Sequence, residues 1–383
     1  MLPDARAAWL EQAERLGNAS SLHASGRATR RVVEESRESI AAHLGVRPST
    51  VVFTSGGTEA DNLAVKGLFW SRRDAMGGSR ILASSIEHHA VLDPVDWLTR
   101  QQGADARWLG VDLLGRVLVD DVVAQLADAG DIALCTVMWA NNEIGTVQPV
   151  ARIAELCREA GVPFHTDAVQ ALGQIPLDLN AVGADAMTIS SHKVGGPFGV
   201  GALILDPRAQ LTPVLHGGGQ EREVRSGTLD APAIAGFAVA VAHAVDGQRH
   251  RAEHLIRLRE RLVRGVLEAV PGAILNGDPS TRVEDRLPGN AHFSFPGCEG
   301  DLLLMLLDAA GIDCSTGSAC TAGIPEPSHV LLAMGIDESL SRSSLRFSLG
   351  EGSTDADVDA VIAALPGAVE RARRAGTLAQ QVR

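Results

Sequence analysis

The feature that most limits the fold of this chain is a rhythm. Short apolar runs rich in β-branched residues recur at 50–54 (TVVFT), 80–85 (RILASS), 132–139 (IALCTVMW), 162–166 (VPFHT), 186–190 (AMTIS) and 201–205 (GALIL). Helical patterns such as VARIAELCREAG (150–161) lie between several of them. Strands that are apolar throughout need cover on both faces, and intervening helices supply it. The pattern predicts an α/β architecture, a mostly parallel sheet between helices. About the first 45 residues read as helical, broken by a turn at GNASSLHASG (17–26). After about residue 247 the texture changes. A long helical pattern (251–270) precedes NAHFSF (290–295), which alternates like a half-buried strand. Then follow DLLLMLLDAAG, the segment CSTGSACTAG (314–323), SLRFSLG and a last helix. This predicts a smaller α+β domain whose sheet is solvated on one face. A chain of 383 residues is longer than one core usually carries, so two domains are expected.

Composition excludes several classes of function. The net charge of −13 repels phosphate backbones, and aromatics at 3 % with no Tyr leave no stacking platform for single strands, so no nucleic-acid partner is expected. Five cysteines (135, 157, 298, 314 and 320) form no CxxC pair and no even framework. The N-terminal residues contain no apolar signal-type core, and the longest apolar run, AIAGFAVAVAHAV (233–245), is too short to span a bilayer. A cytoplasmic protein without membrane association is expected.

In open α/β sheets, ligands gather where strands end at their carboxyl side. After 50–54 comes SGGTE, in which Gly57 and Thr58 open a helix and can approach an anion. The same residues also suit an ordinary glycine turn. His88 and His89 follow the second run; adjacent histidines without a third ligand do not make a metal site. Asn141 and Asn142 follow the third, where side-chain amides hold either a turn or a substrate. Asp167 and Gln170 follow the fourth; an acid there is partly buried and wants a cation. Ser190, His192 and Lys193 follow the fifth, with Lys193 set between an apolar strand and a glycine-rich turn. Desolvation would make that lysine a usable amine nucleophile. A phosphate nest, an acid seeking a buried cation and a reactive amine together suit pyridoxal 5′-phosphate, whose recurring arrangement is a lysine Schiff base with an acidic partner for the ring nitrogen.

Several ordered motifs carry a resemblance: TSGGTEADN, EHHAVLD, ANNEIGTVQP, HTDAVQALG, SSHKVGGPFGVGAL, HGGGQEREVRSGT and SSLRFSLG. Over about residues 17–365 the chain resembles the cysteine desulfurases, members of the class V aminotransferase group with the type I fold of pyridoxal-phosphate enzymes. The stretch SAC followed by a long connection to PSHVL is similar to the housekeeping and nitrogen-fixation subgroup. The resemblance implies a seven-stranded sheet in a large domain of residues 13–246, and a small domain of residues 1–12 and 247–383 carrying the catalytic cysteine. It implies that Lys193 holds the cofactor aldehyde, Asp167 pairs with the pyridinium nitrogen, Gln170 bonds the phenolic oxygen and His88 stacks on the ring. It further implies that Gly57, Thr58, Ser190 and His192 cup the phosphate, with Thr228 reaching it from the other subunit of a homodimer. Asn142 and Arg346 correspond to groups near the substrate carboxylate, and a guanidinium fork grips a carboxylate well. Cys320 corresponds to the nucleophile that takes sulfur from L-cysteine as a persulfide and passes it to an acceptor protein. The small residues around Cys320 suit a thiol that must reach two places. The family's usual opening segment, similar to YLDNAATTP, has no counterpart in MLPDARAAWLEQAE, and that segment is expected to be missing. Other enzymes of the same fold, a selenocysteine lyase or a small-amino-acid aminotransferase, are the alternative, as is a scaffold without cofactor.

Overall fold

The computed structural model describes residues 1–15, 17–317 and 327–381, with side chains to residue 375. It divides into two compact units. The first comprises Met1–Leu109, Leu118–Trp139 and Pro149–Gln248; the second comprises Gly110–Val117, Ala140–Gln148 and Arg249–Arg383.

The elements of the first unit run α1 (Pro3–Ala13), α2 (Ala24–His43), β1 (Val51–Thr54), α3 (Gly57–Met76), β2 (Arg80–Ser84), α4 (His89–Gln102), β3 (Asp105–Leu109), α5 (Val119–Leu126), β4 (Ile132–Thr136), α6 (Val150–Glu159), β5 (Phe164–Asp167), α7 (Leu179–Val182), β6 (Ala186–Ser190), β7 (Gly201–Leu205) and α8 (Ala231–Asp246). The strands form one seven-stranded sheet in the order β1-β7-β6-β5-β4-β2-β3. Four of its six pairings are parallel; β7 runs antiparallel to both β1 and β6. The expected α/β class therefore holds. The six apolar runs all become strands, because every residue of β1, β4, β5, β6 and β7 is buried. The seventh strand, β3, escapes that pattern. It lies at the sheet edge, and its sequence DARWL exposes Arg107 and Trp108.

Helix α3 shows how sequence makes an element here. Ala60, Leu63, Ala64, Val65, Leu68 and Phe69 line one buried face, and Gly77, at φ +72°, ends the helix in the left-handed conformation that glycine adopts without a Cβ penalty. Each buried Leu or Phe contributes on the order of 1.5–3 kcal/mol. This face meets Val52, Ile81, Leu134 and Leu203 from the sheet. Helix α1 packs against α8. Residues 1–12 thus belong with the first unit rather than with the small domain where they were expected.

The second unit adds α9 (Gln248–Ala269), β8 (Ile274–Asn276), β9 (Asn290–Ser294), α10 (Gly300–Asp308), α11 (His329–Ala333), α12 (Glu338–Arg342), β10 (Ser344–Ser348) and α13 (Asp355–Gln381). Its sheet is antiparallel, in the order β10-β9-β8. Leu258, Leu262, Phe293, Phe295, Leu303, Leu345 and Leu365 form its core. Segments 110–117 and 140–148, inside the run expected for the large domain, also fold with this unit. The expectation of a solvated sheet face fails at β9, whose five residues are all buried, including the polar Asn290, His292 and Ser294. Cys298, in the loop between β9 and α10, is buried against this core and donates weakly to the Val369 carbonyl. Among the described residues, no helix is long and apolar enough to cross a membrane.

Candidate active site

Register places the first group of residues. Thr54, the last residue of β1, and Ser190, the last of β6, both pair with Gly201 on β7, one on each side. The loops that leave these two strands therefore start level with each other. Gly201 permits the approach: a Cβ there would stand 2.7 Å from the Gly56 carbonyl carbon. Gly56 has φ +150°, and nothing lies within 4 Å of where its Cβ would be. At Gly57 a Cβ would meet Val169 Cγ2 at 3.1 Å and Ser190 Cβ at 3.5 Å. Thr58 is exposed in the first turn of α3, where backbone N–H groups and the helix dipole favour an anion. Ser190 Oγ is 2.9 Å from His192 Nδ1. Burial, and then the charge of Lys193, lower the pKa of His192.

Lys193 sits in a short 3-10 turn, Ser191–Val194, closed by Gly195 at φ +81°. The side chain is exposed, so the expected desolvation of this lysine is not seen in the chain on its own. Position and glycine flanks predicted its place but could not predict its cover. Its charge nevertheless acts on Asp167, which is 6 % exposed at the end of β5. Burial pushes the Asp167 pKa up to about 6; the Val169 N–H, which donates to Oδ1 at 2.8 Å, and the Lys193 charge oppose the rise. Gln170 follows, half-buried. His88 caps α4, its Nδ1 accepting from the Ala90 N–H at 3.1 Å. An accepting Nδ1 places the proton of the neutral ring on Nε2, and the ring is exposed.

Beneath this group lies a buried layer that the strand-end reading missed. His165 is fully buried between Thr136 Oγ1 at 2.9 Å and Thr188 Oγ1 at 3.1 Å, and burial pushes its pKa down to about 3. Asp61 is 1 % exposed, with Oδ1 at 3.6 Å from His165 Nε2. Burial, and then the negative field of Asp167, raise its pKa well above the carboxylate range. Glu87, also buried, accepts from the Met138 N–H at 2.6 Å, and burial pushes its pKa up to about 8. Three carboxyls thus act on one another, and burial raises the proton affinity of all three, with Asp167 the one opposed by a nearby cation. A signal was available for Asp61: with Ala64 and Leu68 it falls on the apolar face of α3.

The loop 216–228 is fastened to the same region. Arg225 Nε donates to Glu59 Oε1 at 2.7 Å, and Glu59 also accepts from the Ser55 N–H at 2.7 Å. Burial raises the Glu59 pKa, but these bonds outweigh it and the net shift is downward. Glu221, fully buried, accepts from Arg37 at 2.7 and 2.9 Å and from the Phe53 N–H at 2.9 Å. The next two residues, Arg222 at φ +52° and Glu223 at φ +64°, occupy a backbone region that non-glycine residues rarely adopt. The buried pair fixes this strained turn, and Thr228 stands exposed at the end of the loop. Glu221→Gln leaves the Arg37 guanidinium without its full countercharge. A loss of about 3 kcal/mol is expected in urea unfolding, and a loss below about 1 kcal/mol would show that Glu34, whose Oε2 accepts from Arg37 Nε at 3.1 Å, suffices alone.

In the second unit, Asn141 and Asn142 divide their roles. Asn141 is the turn former: its Oδ1 accepts from the Glu143 and Ile144 N–H groups at 2.9 and 3.0 Å. Asn142 is half-buried, and its carbonyl accepts from Arg346 Nη1 at 2.9 Å. The two residues expected at the substrate carboxylate are thus neighbours, though 204 positions apart in sequence. Arg346 Nε is buried with no hydrogen-bond partner among the described residues. Burial lowers the pKa of this guanidinium, and Glu143 opposes the shift. Cys314 is half-buried, and burial, then Asp313 and Asp308, push its thiol up to about 11, a poor nucleophile. Cys135 and Cys157 are fully buried. Cys320 lies outside the described residues.

These residues fit pyridoxal phosphate. A buried carboxyl is kept available for a cation, an amine acts on it from an open turn, and glycine N–H groups at a helix start stand beside Ser190 and His192. Comparison with known proteins agrees. The family described as "Aminotransferase class-V" matches residues 7–361. An "IscS-like cysteine desulfurase" of Mycobacterium tuberculosis is 55 % identical over 367 residues, covering 95 % of this chain and 92 % of the relative. Among solved structures, a NifS-like protein superposes with a TM-score of 0.88 at 33 % identity, covering 97 % of this chain and 96 % of its own. A second, titled "SspA in complex with cysteine", has a TM-score of 0.78 at 30 % identity, covering 92 % and 97 %.

Proposed function

The chain belongs to the class V aminotransferase family and is a pyridoxal-phosphate-dependent cysteine desulfurase, and from that premise we propose how its own residues divide the work. The observation that carries the assignment is the buried Asp167 carboxyl acting against the Lys193 charge. Asp167 would hold a proton at the cofactor's ring nitrogen, Gln170 would bond its phenolic oxygen, and His88 would cover its ring. Gly57, Thr58, Ser190 and His192 would hold its phosphate, and Thr228 of a second copy would complete the cup in a homodimer. The cofactor, once bound, supplies an electron sink conjugated to the α-carbon of the substrate.

L-cysteine enters with its carboxylate on the Arg346 guanidinium, oriented by Asn142. Lys193, which would hold the cofactor aldehyde between turnovers, takes the substrate α-proton on Nζ and later returns a proton to carbon. His88, with Nδ1 tied to the helix start, offers Nε2 for proton exchange. Cys320 Sγ attacks the substrate sulfur as the thiolate. An S–S bond forms while the C–S bond of the substrate breaks. In sum, L-cysteine and the Cys320 thiol give L-alanine and a Cys320 persulfide, with no outside oxidant or reductant. A thiol acceptor, taken here to be a cytoplasmic carrier or scaffold protein for iron–sulfur or thio-cofactor synthesis, then removes the outer sulfur.

The test is mass spectrometry of the holoenzyme after brief exposure to L-cysteine without acceptor. The Cys320 peptide is expected to gain one sulfur atom, roughly 32 Da, removable by dithiothreitol. An adduct on Cys314 instead, or continued alanine release by Cys320→Ser, would defeat this role for Cys320.

A further inference from the structure

The polar face of β9 is closed over a set of groups that the steps above do not use. Asn276 Nδ2 donates to His292 Nδ1 at 3.0 Å and to Ser294 Oγ at 2.8 Å. A ring nitrogen that accepts carries no hydrogen, so the neutral His292 ring bears its proton on Nε2. Burial, then the charges of Arg346 and Arg286, push its pKa down to about 3, which keeps the ring neutral. Nε2 is buried with no hydrogen-bond partner among the described residues. It faces the chain at Gly317, where a Cβ would stand 3.1 Å from His292 Nε2 and 3.0 Å from Glu143 Oε2. Gly317 has φ +84°, so both the space and the backbone demand glycine.

The same Glu143 oxygen has a second attachment. Ser328 Oγ donates to Glu143 Oε2 at 2.5 Å and accepts from the Leu331 N–H at 3.2 Å, capping α11. Glu143 is itself rigidly placed. It is 3 % exposed, its N–H donates to Asn141 Oδ1, and its carbonyl accepts from Asn290 Nδ2 at 2.8 Å. Gly317 and Ser328 border residues 318–326, the segment that contains Cys320. One buried carboxyl therefore bonds the chain at Ser328 and lies too close to Gly317 for any side chain there, one on each side of that segment.

We propose that Glu143 is a positioning residue for Cys320: its carboxyl, bonded to Ser328 and packed with His292 against Gly317, sets where the chain leaves at Gly317 and returns at Ser328. The proposal rests on the reading that Cys320 carries the sulfur. Glu143 touches neither the sulfur nor the substrate in this role.

The test uses the holoenzyme with Glu143→Gln and, separately, Ser328→Ala. Three readouts are compared with the parent: the single-turnover rate of sulfur addition to Cys320, the change in cofactor absorbance on adding L-cysteine, and hydrogen exchange in peptides covering 310–317 and 327–333. In Glu143→Gln, sulfur addition is expected to slow about tenfold or more. Exchange should quicken about tenfold in both flanking peptides and nowhere else, while the absorbance response keeps its cysteine dependence. Ser328→Ala should give the same pattern, weaker at 310–317. Unchanged flanks and an unchanged rate in both variants would overturn the proposal. So would a weakened absorbance response with unchanged flanks, which would place Glu143 in substrate binding. If Glu143→Gln does not fold, Ser328→Ala decides by the same readouts. A parent enzyme that never acquires the adduct defeats the role of Cys320 and this proposal with it, whereas a normal parent adduct with unchanged variants defeats this proposal alone.

Discussion

Lys193→Ala is expected to lower cysteine-dependent alanine formation by about a thousandfold or more. Two functions are lost at one atom. In the proposed assignment the ε-amine would hold the cofactor aldehyde and would move the proton at the substrate α-carbon. The side chain stands in a glycine-closed turn, Ser191–Val194, and no other amine among the residues assigned to the site can replace it. The purified variant should also lose the visible absorption band of the lysine-bound cofactor, while free pyridoxal phosphate still associates through the phosphate cup. The fold should survive, because Lys193 is exposed and packs in no core. Alanine formation within about tenfold of the parent, with the band intact, would show that another group holds the aldehyde.

Asp167→Asn is expected to cost about a hundredfold or more in the same assay with little change in cysteine binding. The amide has the size of the carboxyl and still accepts from the Val169 N–H, but it cannot stabilise a proton on the ring nitrogen. Stability should respond in the opposite direction. With its pKa pushed up to about 6 from the ordinary 3.8, the folded apo protein holds a proton that the unfolded chain has already released. Asp167 therefore costs stability as pH rises from about 4 through about 6, and the cost remains above that range. Asp167→Asn removes this cost, so the cofactor-free variant should melt slightly higher than the cofactor-free parent at pH 8 and equally at pH 4. Adding cofactor reverses the order at pH 8, because only the carboxylate gains a cationic partner. A variant that gains as much from cofactor as the parent does would show that Asp167 faces some other group.

How much of this could be read from sequence differs by residue. The strand-end loops were legible because a parallel sheet collects its carboxyl ends on one side, so Gly57, Asp167 and Lys193 could be placed before any coordinates existed. The motifs around them identified the chemistry. Strand β3 was not legible, because an edge strand with exposed Arg107 and Trp108 carries no apolar run. His165 was not legible because a residue within an apolar strand reads as core. The reading of β9 as half-solvated was wrong for a related reason. Period-two alternation reports which side chains share a face, and it cannot report whether that face meets water or a second polar layer.

Sequence alone determined the class of sheet and the family, since both depend on local pattern and on short motifs kept in order. Tertiary structure alone decided partnership. That Arg346 meets Asn142, that Glu221 locks Arg37 against β1, and that Gly317 and Ser328 meet at one carboxyl are contacts between residues far apart along the chain. Proton affinities followed from the same source. A carboxyl or imidazole keeps its ordinary pKa until burial removes water from it, and burial is a property of what packs around a residue, not of its neighbours in sequence.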